Sequence, residues 1–178
     1  MSFNLEIPKE LSHLKVDSRG YPIPYFVSEI NGKPEFRFLV PERLEMIIAR
    51  KVCHICGKKL PKDFVYFISG PVGLSNRVST DAPMHRVCAE FSLLACPHLF
   101  FRNAKRREND ELAKTIVAKG SLDPGKPDYL FLVKCDKWTP FREDGHDLIR
   151  YRPVALTKYI YENGQLVKDP KQSPGHSI

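Results

Sequence analysis

The sequence predicts an α+β fold, on three observations. Short β-branched and aromatic runs, residues 64–68 and 129–133 above all, read as strands. Between them lies a helical stripe, Val87, Phe91 and Leu94, at i, i+4 and i+7. Two short Cys/His pairs, Cys53-x2-Cys56 and His85-x2-Cys88, stand on either side of the first strand.

The elements follow in chain order. Residues 1–20 are polar with scattered Leu and Val, and form an N-terminal segment. Prolines 22 and 24 push their predecessors into extended geometry. Asn31-Gly32 is a turn dipeptide, and residues 36–40 read as a strand, so a hairpin is expected over about 23–40. Pro41 and Glu42 suit a helix start, and Leu44, Ile47 and Ile48 follow at helical spacing, giving a helix over about 41–51. Gly70-Pro71-Val72-Gly73 must end the strand at 64–68, and reads as a sharp turn. Pro83 can open the next helix, and Pro97 disfavours helical geometry at Cys96. Asn109 caps a further helix ending near Gly120. Residues 129–133 are apolar enough for a central strand, and 156–167 form a hairpin turning at Asn163-Gly164. The tail 169–178, with two prolines and a glycine, is expected to be mobile. Residues 21–168 then form one domain, consistent with a chain of 178 residues.

Composition narrows the class. Apolar content of 42% and charged content of 28% fit a globular chain. No apolar run approaches the roughly 18 residues of a membrane span. The start lacks an apolar stretch of the secretory type, so a cytoplasmic location is expected. Five cysteines are too few for a disulfide scaffold.

The cysteines carry the chemistry instead. Cys53-His54-Ile55-Cys56-Gly57 is a tight turn that brings two thiolates to one ion, and Gly57 permits the positive φ such turns need. His85 and Cys88, three apart at a helix start, share a face and offer a second pair. The four are expected to bind structural Zn2+, because Cys3His is a closed set with no open position. Iron is not excluded by the sequence. Cys96 lies about 12 Å along the helix from Cys88 and is excluded as a ligand. Cys135 reads as core, and His54 as solvated or as a substitute for His85.

Knuckle, strand-bearing segment and ligand-bearing helix, over about residues 53–96, resemble the treble-clef zinc fingers. Two enzyme readings of the same residues fail on their partners. Cys88-Ala89-Glu90 looks like the metal motif of cytidine deaminases, but no P-C-x-x-C follows. Asn76 and His85 have some of the look of HNH-type nucleases, but residues 64–69 carry no histidine to act as base. No phosphate loop, nucleophile elbow or dinucleotide fingerprint is present.

The net charge of +7 favours polyanions. Arg102, Lys105, Arg106 and Arg107 lie beside Phe100 and Phe101, and Arg77 and Arg86 flank the metal motif. These six cations are the expected contact surface for DNA or RNA, against the simpler reading of a solvated basic face.

A wider pattern joins Pro22-Ile23-Pro24, Cys53-x2-Cys56-Gly57, Gly70-Pro71 with Asn76-Arg77, Pro83-x-His85-x2-Cys88-Ala89-Glu90, and Cys96-Pro97. It is similar to a family of uncharacterised bacterial and bacteriophage proteins. The resemblance implies the metal site and a binding loop at Gly70–Asn76, with Asn76 and Arg77 its leading residues, and no reaction. The expected function is a non-enzymatic, zinc-stabilised module that contacts nucleic acid. The alternatives are an adaptor or inhibitor of a host protein, presenting an apolar patch around Phe100, Phe101 and Trp138, and, behind it, an unusual HNH-like nuclease that has lost the usual base.

Overall fold

A computed structural model describes residues 5–30, 32–36, 41–100, 102, 126–171 and 176–177. It is a mixed α+β protein built on one large antiparallel sheet. In chain order the elements are β1 (Ser28–Ile30), β2 (Lys33–Glu35), α1 (Pro41–Arg50), β3 (Val65–Ser69), α2 (Pro71–Asn76), β4 (Val78–Ser79), α3 (Arg86–Ala95), α4 (Pro97–Phe100), β5 (Tyr129–Glu143), β6 (His146–Glu162), β7 (Gln165–Lys168) and β8 (His176–Ser177).

The spine of the sheet is the β5–β6 hairpin. It turns at Asp144-Gly145, both with positive φ (46° and 81°), as the two-residue turn that matches strand twist requires. β3 lines the outer edge of β5, while β4, β8 and β7 pair in succession along β6. The β6–β7 turn is Asn163-Gly164, as the sequence predicts. Within the tail, His176 and Ser177 pair with Leu156 and Ala155.

Alternate residues of β3 and β5 divide between two cores, one on each face of the sheet. Tyr66, Ile68, Leu130 and Leu132 join Leu11, Met84, Ala89 and Leu93. Val65, Phe67, Val133 and Cys135 join Leu44 and Ile47 of α1, with Ile149 and Tyr151 of β6. Burial on both faces explains the unbroken apolar run at 129–133. Tyr151 ties the second core to α2. Its ring stacks on Phe67 at 4.9 Å, and its hydroxyl lies 3.0 Å from both Ser69 Oγ and the Gly73 carbonyl.

Several expectations are corrected. The N-terminal hairpin is shorter than the 23–40 span, with strands at Ser28–Ile30 and Lys33–Glu35; Phe36 is in a turn, and residues 37–40 lie outside those described. Gly70–Gly73 is not a simple turn. Gly70 is the extended cap of α2, Pro71 supplies the preset φ of a first helical residue, and Arg77 at φ 57° ends it. α3 begins at Arg86 rather than Pro83, because Met84 is held extended by two backbone hydrogen bonds to Tyr66, each 2.9 Å. The predicted helix at 109–120 lies outside the described residues.

Removing the Tyr151 hydroxyl tests the tie between sheet and α2. Tyr151→Phe leaves the buried Gly73 carbonyl and Ser69 hydroxyl short of a partner, so it should cost about 1–3 kcal/mol in denaturant unfolding. An unchanged midpoint would show that the contact adds nothing.

Candidate metal centre

The chain reaches the centre through a helix end. Lys51 takes positive φ (49°) after α1, its N–H bonds the Ile48 carbonyl at 3.1 Å, and Val52 N–H bonds Ile47 at 3.2 Å. This Schellman pattern closes the helix and turns the chain into Cys53. Val52 then pairs with Lys59 in a narrow ribbon, Cys53 N–H donates to Lys58 at 2.8 Å, and Gly57 N–H donates back to Cys53 at 2.9 Å. Gly57 has φ 71°, and a Cβ there would lie 2.6 Å from the Tyr25 ring. Glycine is therefore required twice, by backbone angle and by space.

The second pair comes from α3. His85 is its N-cap residue, and Cys88 sits in the first turn. The antiparallel bridge between Tyr66 and Met84 sets the height of His85 against the knuckle. The sulfurs of Cys53, Cys56 and Cys88 and one nitrogen of His85 lie within 4.8 Å of one another. His85 Nδ1 is 3.3 Å from Cys56 Sγ and 3.8 Å from Cys88 Sγ. Its other ring nitrogen, Nε2, is 2.9 Å from the Lys59 carbonyl. Donation of Nε2–H to that carbonyl leaves the Nδ1 lone pair facing the sulfurs, the usual orientation of a metal-ligating histidine.

Electrostatics favour a cation at the centre. The neighbouring Cys53 and Cys56 sulfurs push the His85 imidazole up to about 10. Hydrogen bonds from Cys53 and Cys88 hold Cys56 far below the usual thiol range, whereas Cys53 and Cys56, together with burial, push Cys88 up. A metal ion supplies positive charge at that point and displaces the protons. The three cysteines are buried, so the charge is little screened.

An outer layer fixes the site. The N-terminal segment packs across it through buried Leu11, and His13 Nε2 lies 2.9 Å from the Cys56 carbonyl. Tyr25 and Phe26 hydrogen-bond to Ile55 and His54. His54 is neither solvated nor a ligand. It is buried, stacks against Phe26, and its Nδ1 accepts the Ala82 N–H at 3.0 Å. Burial pushes its imidazole down, against the opposing pull of the Asp81 carboxylate. The motif spacing carried no signal for this role, which depends on residues 28 apart.

The remaining candidates are dispersed. Cys96 lies outside the four-donor cluster, and burial pushes its thiol up; Cys135 sits in the second core, pushed up to about 12. Asn76 and Arg77 are exposed at the end of α2. Arg86 pairs with Glu90 at 2.9 Å, and Arg102 pairs with Asp128 at 2.6 Å. Lys105, Arg106, Arg107 and Phe101 lie outside the described residues. Phe100 and Trp138 are half-buried against the first and second cores. Among the described residues no helix is long and apolar enough to cross a membrane.

No protein-family model, curated protein or solved structure matches this chain.

Two outcomes check the centre. Gly57→Ala should lose about 2–4 kcal/mol, combining left-handed strain with overpacking on Tyr25; a loss under half a kcal/mol would refute the crowding. The ion competes with protons for thiolates and imidazole, so bound metal should fall as pH drops below neutral, monitored with a chelating dye. Retention unchanged down to pH 4 would argue against these ligands.

Proposed function

We propose that the four donors hold a structural Zn2+ in a treble-clef-like frame, and that the module binds nucleic acid without catalysing a reaction on it. The donor set supports zinc. Bonds of about 2.3 Å to sulfur and 2.0–2.1 Å to nitrogen, at tetrahedral angles, separate N and S by about 3.6 Å. The 3.3 and 3.8 Å separations of His85 Nδ1 from its two sulfurs bracket that value. Three thiolates and one imidazole fill a tetrahedron, leaving no position for a substrate. The ion then pins the knuckle to the start of α3, so its binding free energy stabilises the fold.

The observation that carries nucleic-acid binding is the basic face of the distal β5–β6 ribbon. Lys137 stands opposite Arg152, and Thr139 opposite Arg150, all exposed. Directly opposed residues share a face, so these cations form one patch. Asp136 neutralises Arg152 at 2.6 Å. Arg77 adds a further cation, one residue before Val78, which pairs with Arg150. The Arg150 guanidinium lies 4.7 Å from the Phe141 ring centre. Past Ile149 toward the turn, the strands pair only with each other among the described residues, so these cations stand at the base of a narrow two-stranded arm. Such a ribbon fits a groove or a single strand, where cations meet phosphates and an aromatic ring meets bases.

Elemental analysis should return one zinc per chain, and Cys88→Ser should abolish both zinc retention and cooperative unfolding. Fluorescence anisotropy with labelled single- and double-stranded DNA should show affinity falling steeply with salt. Replacing Arg77, Lys137 and Arg150 with Ala should flatten the log–log salt slope by about one unit per cation, with zinc retained. Absent or salt-independent binding by the zinc-loaded protein would end the nucleic-acid reading.

A further inference from the structure

A cavity of about 650 Å³ opens among the described residues. It lies between the knuckle, the end of β3, the loop carrying Asp81 and the C-terminal half of α3. This is the size range of small-molecule sites. Its walls are largely apolar, formed by Phe26, Ile55, Met84, Phe91, Ala95 and Leu99 among others.

One polar group enters this wall in a defined state. His54 is only 4% exposed. Its Nδ1 accepts the Ala82 N–H, which places the ring proton on Nε2. No described residue accepts that proton. Yet no buried side-chain nitrogen among the described residues goes without a hydrogen-bond partner. Nε2 therefore lies where a solvent-sized molecule can touch it, and the cavity is the space that His54 lines. With Nδ1 held by the backbone, the imidazole presents Nε2–H as a donor to this site.

Charge narrows the ligand further. Asp81 also lines the cavity and has no ion-pair partner among the described residues. The Arg19 guanidinium on the wall is occupied by Asp17 at 2.7 Å. The polar end thus disfavours anions.

We propose that this cavity is a binding site for an uncharged, mainly apolar small molecule whose carbonyl oxygen accepts the His54 Nε2–H. The site is separate from the metal cluster and independent of the basic ribbon. Its role is recognition, since the ring presents a donor and the walls present apolar surface.

Titration of the 15N-labelled, metal-loaded protein with three probes tests it. Acetophenone has the carbonyl, ethylbenzene lacks it, and benzoate replaces it with a charge. Acetophenone should shift the His54 Nε2 resonance and the amides of Phe91 and Ala95. Ethylbenzene and benzoate should each bind at least threefold more weakly. Ala95→Trp, which fills the cavity and spares the ligands, should abolish these shifts while metal content stays unchanged. Affinities within threefold of one another, a His54 resonance that does not move, or binding that survives Ala95→Trp would overturn the proposal.

Discussion

Four donor atoms drawn together from two distant segments are the constraint on which the rest of the structure depends. Cys53 and Cys56 come from a ribbon, and His85 and Cys88 from a helix start. The knuckle is a few residues long, and α3 has ten residues, below the length at which an isolated helix is stable in water. Crowding three sulfurs and an imidazole in a buried place is costly without a cation to balance them. With one, the repulsion becomes a clamp. Around that point lie the N-terminal segment, Tyr25 and Phe26 on one side, and β3 on the other.

The sheet extends this local order across the molecule. Because β3 and β5 are buried on both faces, the residues that support the metal cluster alternate with those that pack on α1. A displacement of Tyr66 would move Met84 and His85 on one face, and Val65 and Phe67 on the other. The cavity beside His54 and the basic ribbon lie at different places on this frame. A short α2 and a two-residue β4 put Arg77 one residue before the Val78–Arg150 pair.

Local signals were legible where one residue's backbone preference decides the outcome. Pro41 marks a helix start and Pro97 a helix end, Asn163-Gly164 marks a hairpin, and Gly57 marks the knuckle. Asp144-Gly145 carries the same kind of signal as Asn163-Gly164, yet the polar and proline-interrupted run before it hid the full length of β5. The helical state of Pro71–Asn76 was hidden for a different reason. A proline and a glycine lead its sequence, while Tyr151, far along the chain, hydrogen-bonds the Gly73 carbonyl.

The same division holds for the sites. The sequence by itself determined which four donors come together, because donor type and two-residue spacing suffice to put each pair on one side of a turn. It also determined the mixed fold class and the burial of Cys135. Tertiary structure alone decided that His54, between two ligands, faces away from the cluster as a buried hydrogen-bond acceptor. It alone placed Lys137, Arg150 and Arg152 on one face, while tying Arg86 and Arg102 to carboxylates. The physical reason is range: backbone preferences and ligand spacing act over a few residues, whereas which charges meet and which rings are enclosed depends on strand register between segments far apart in the chain.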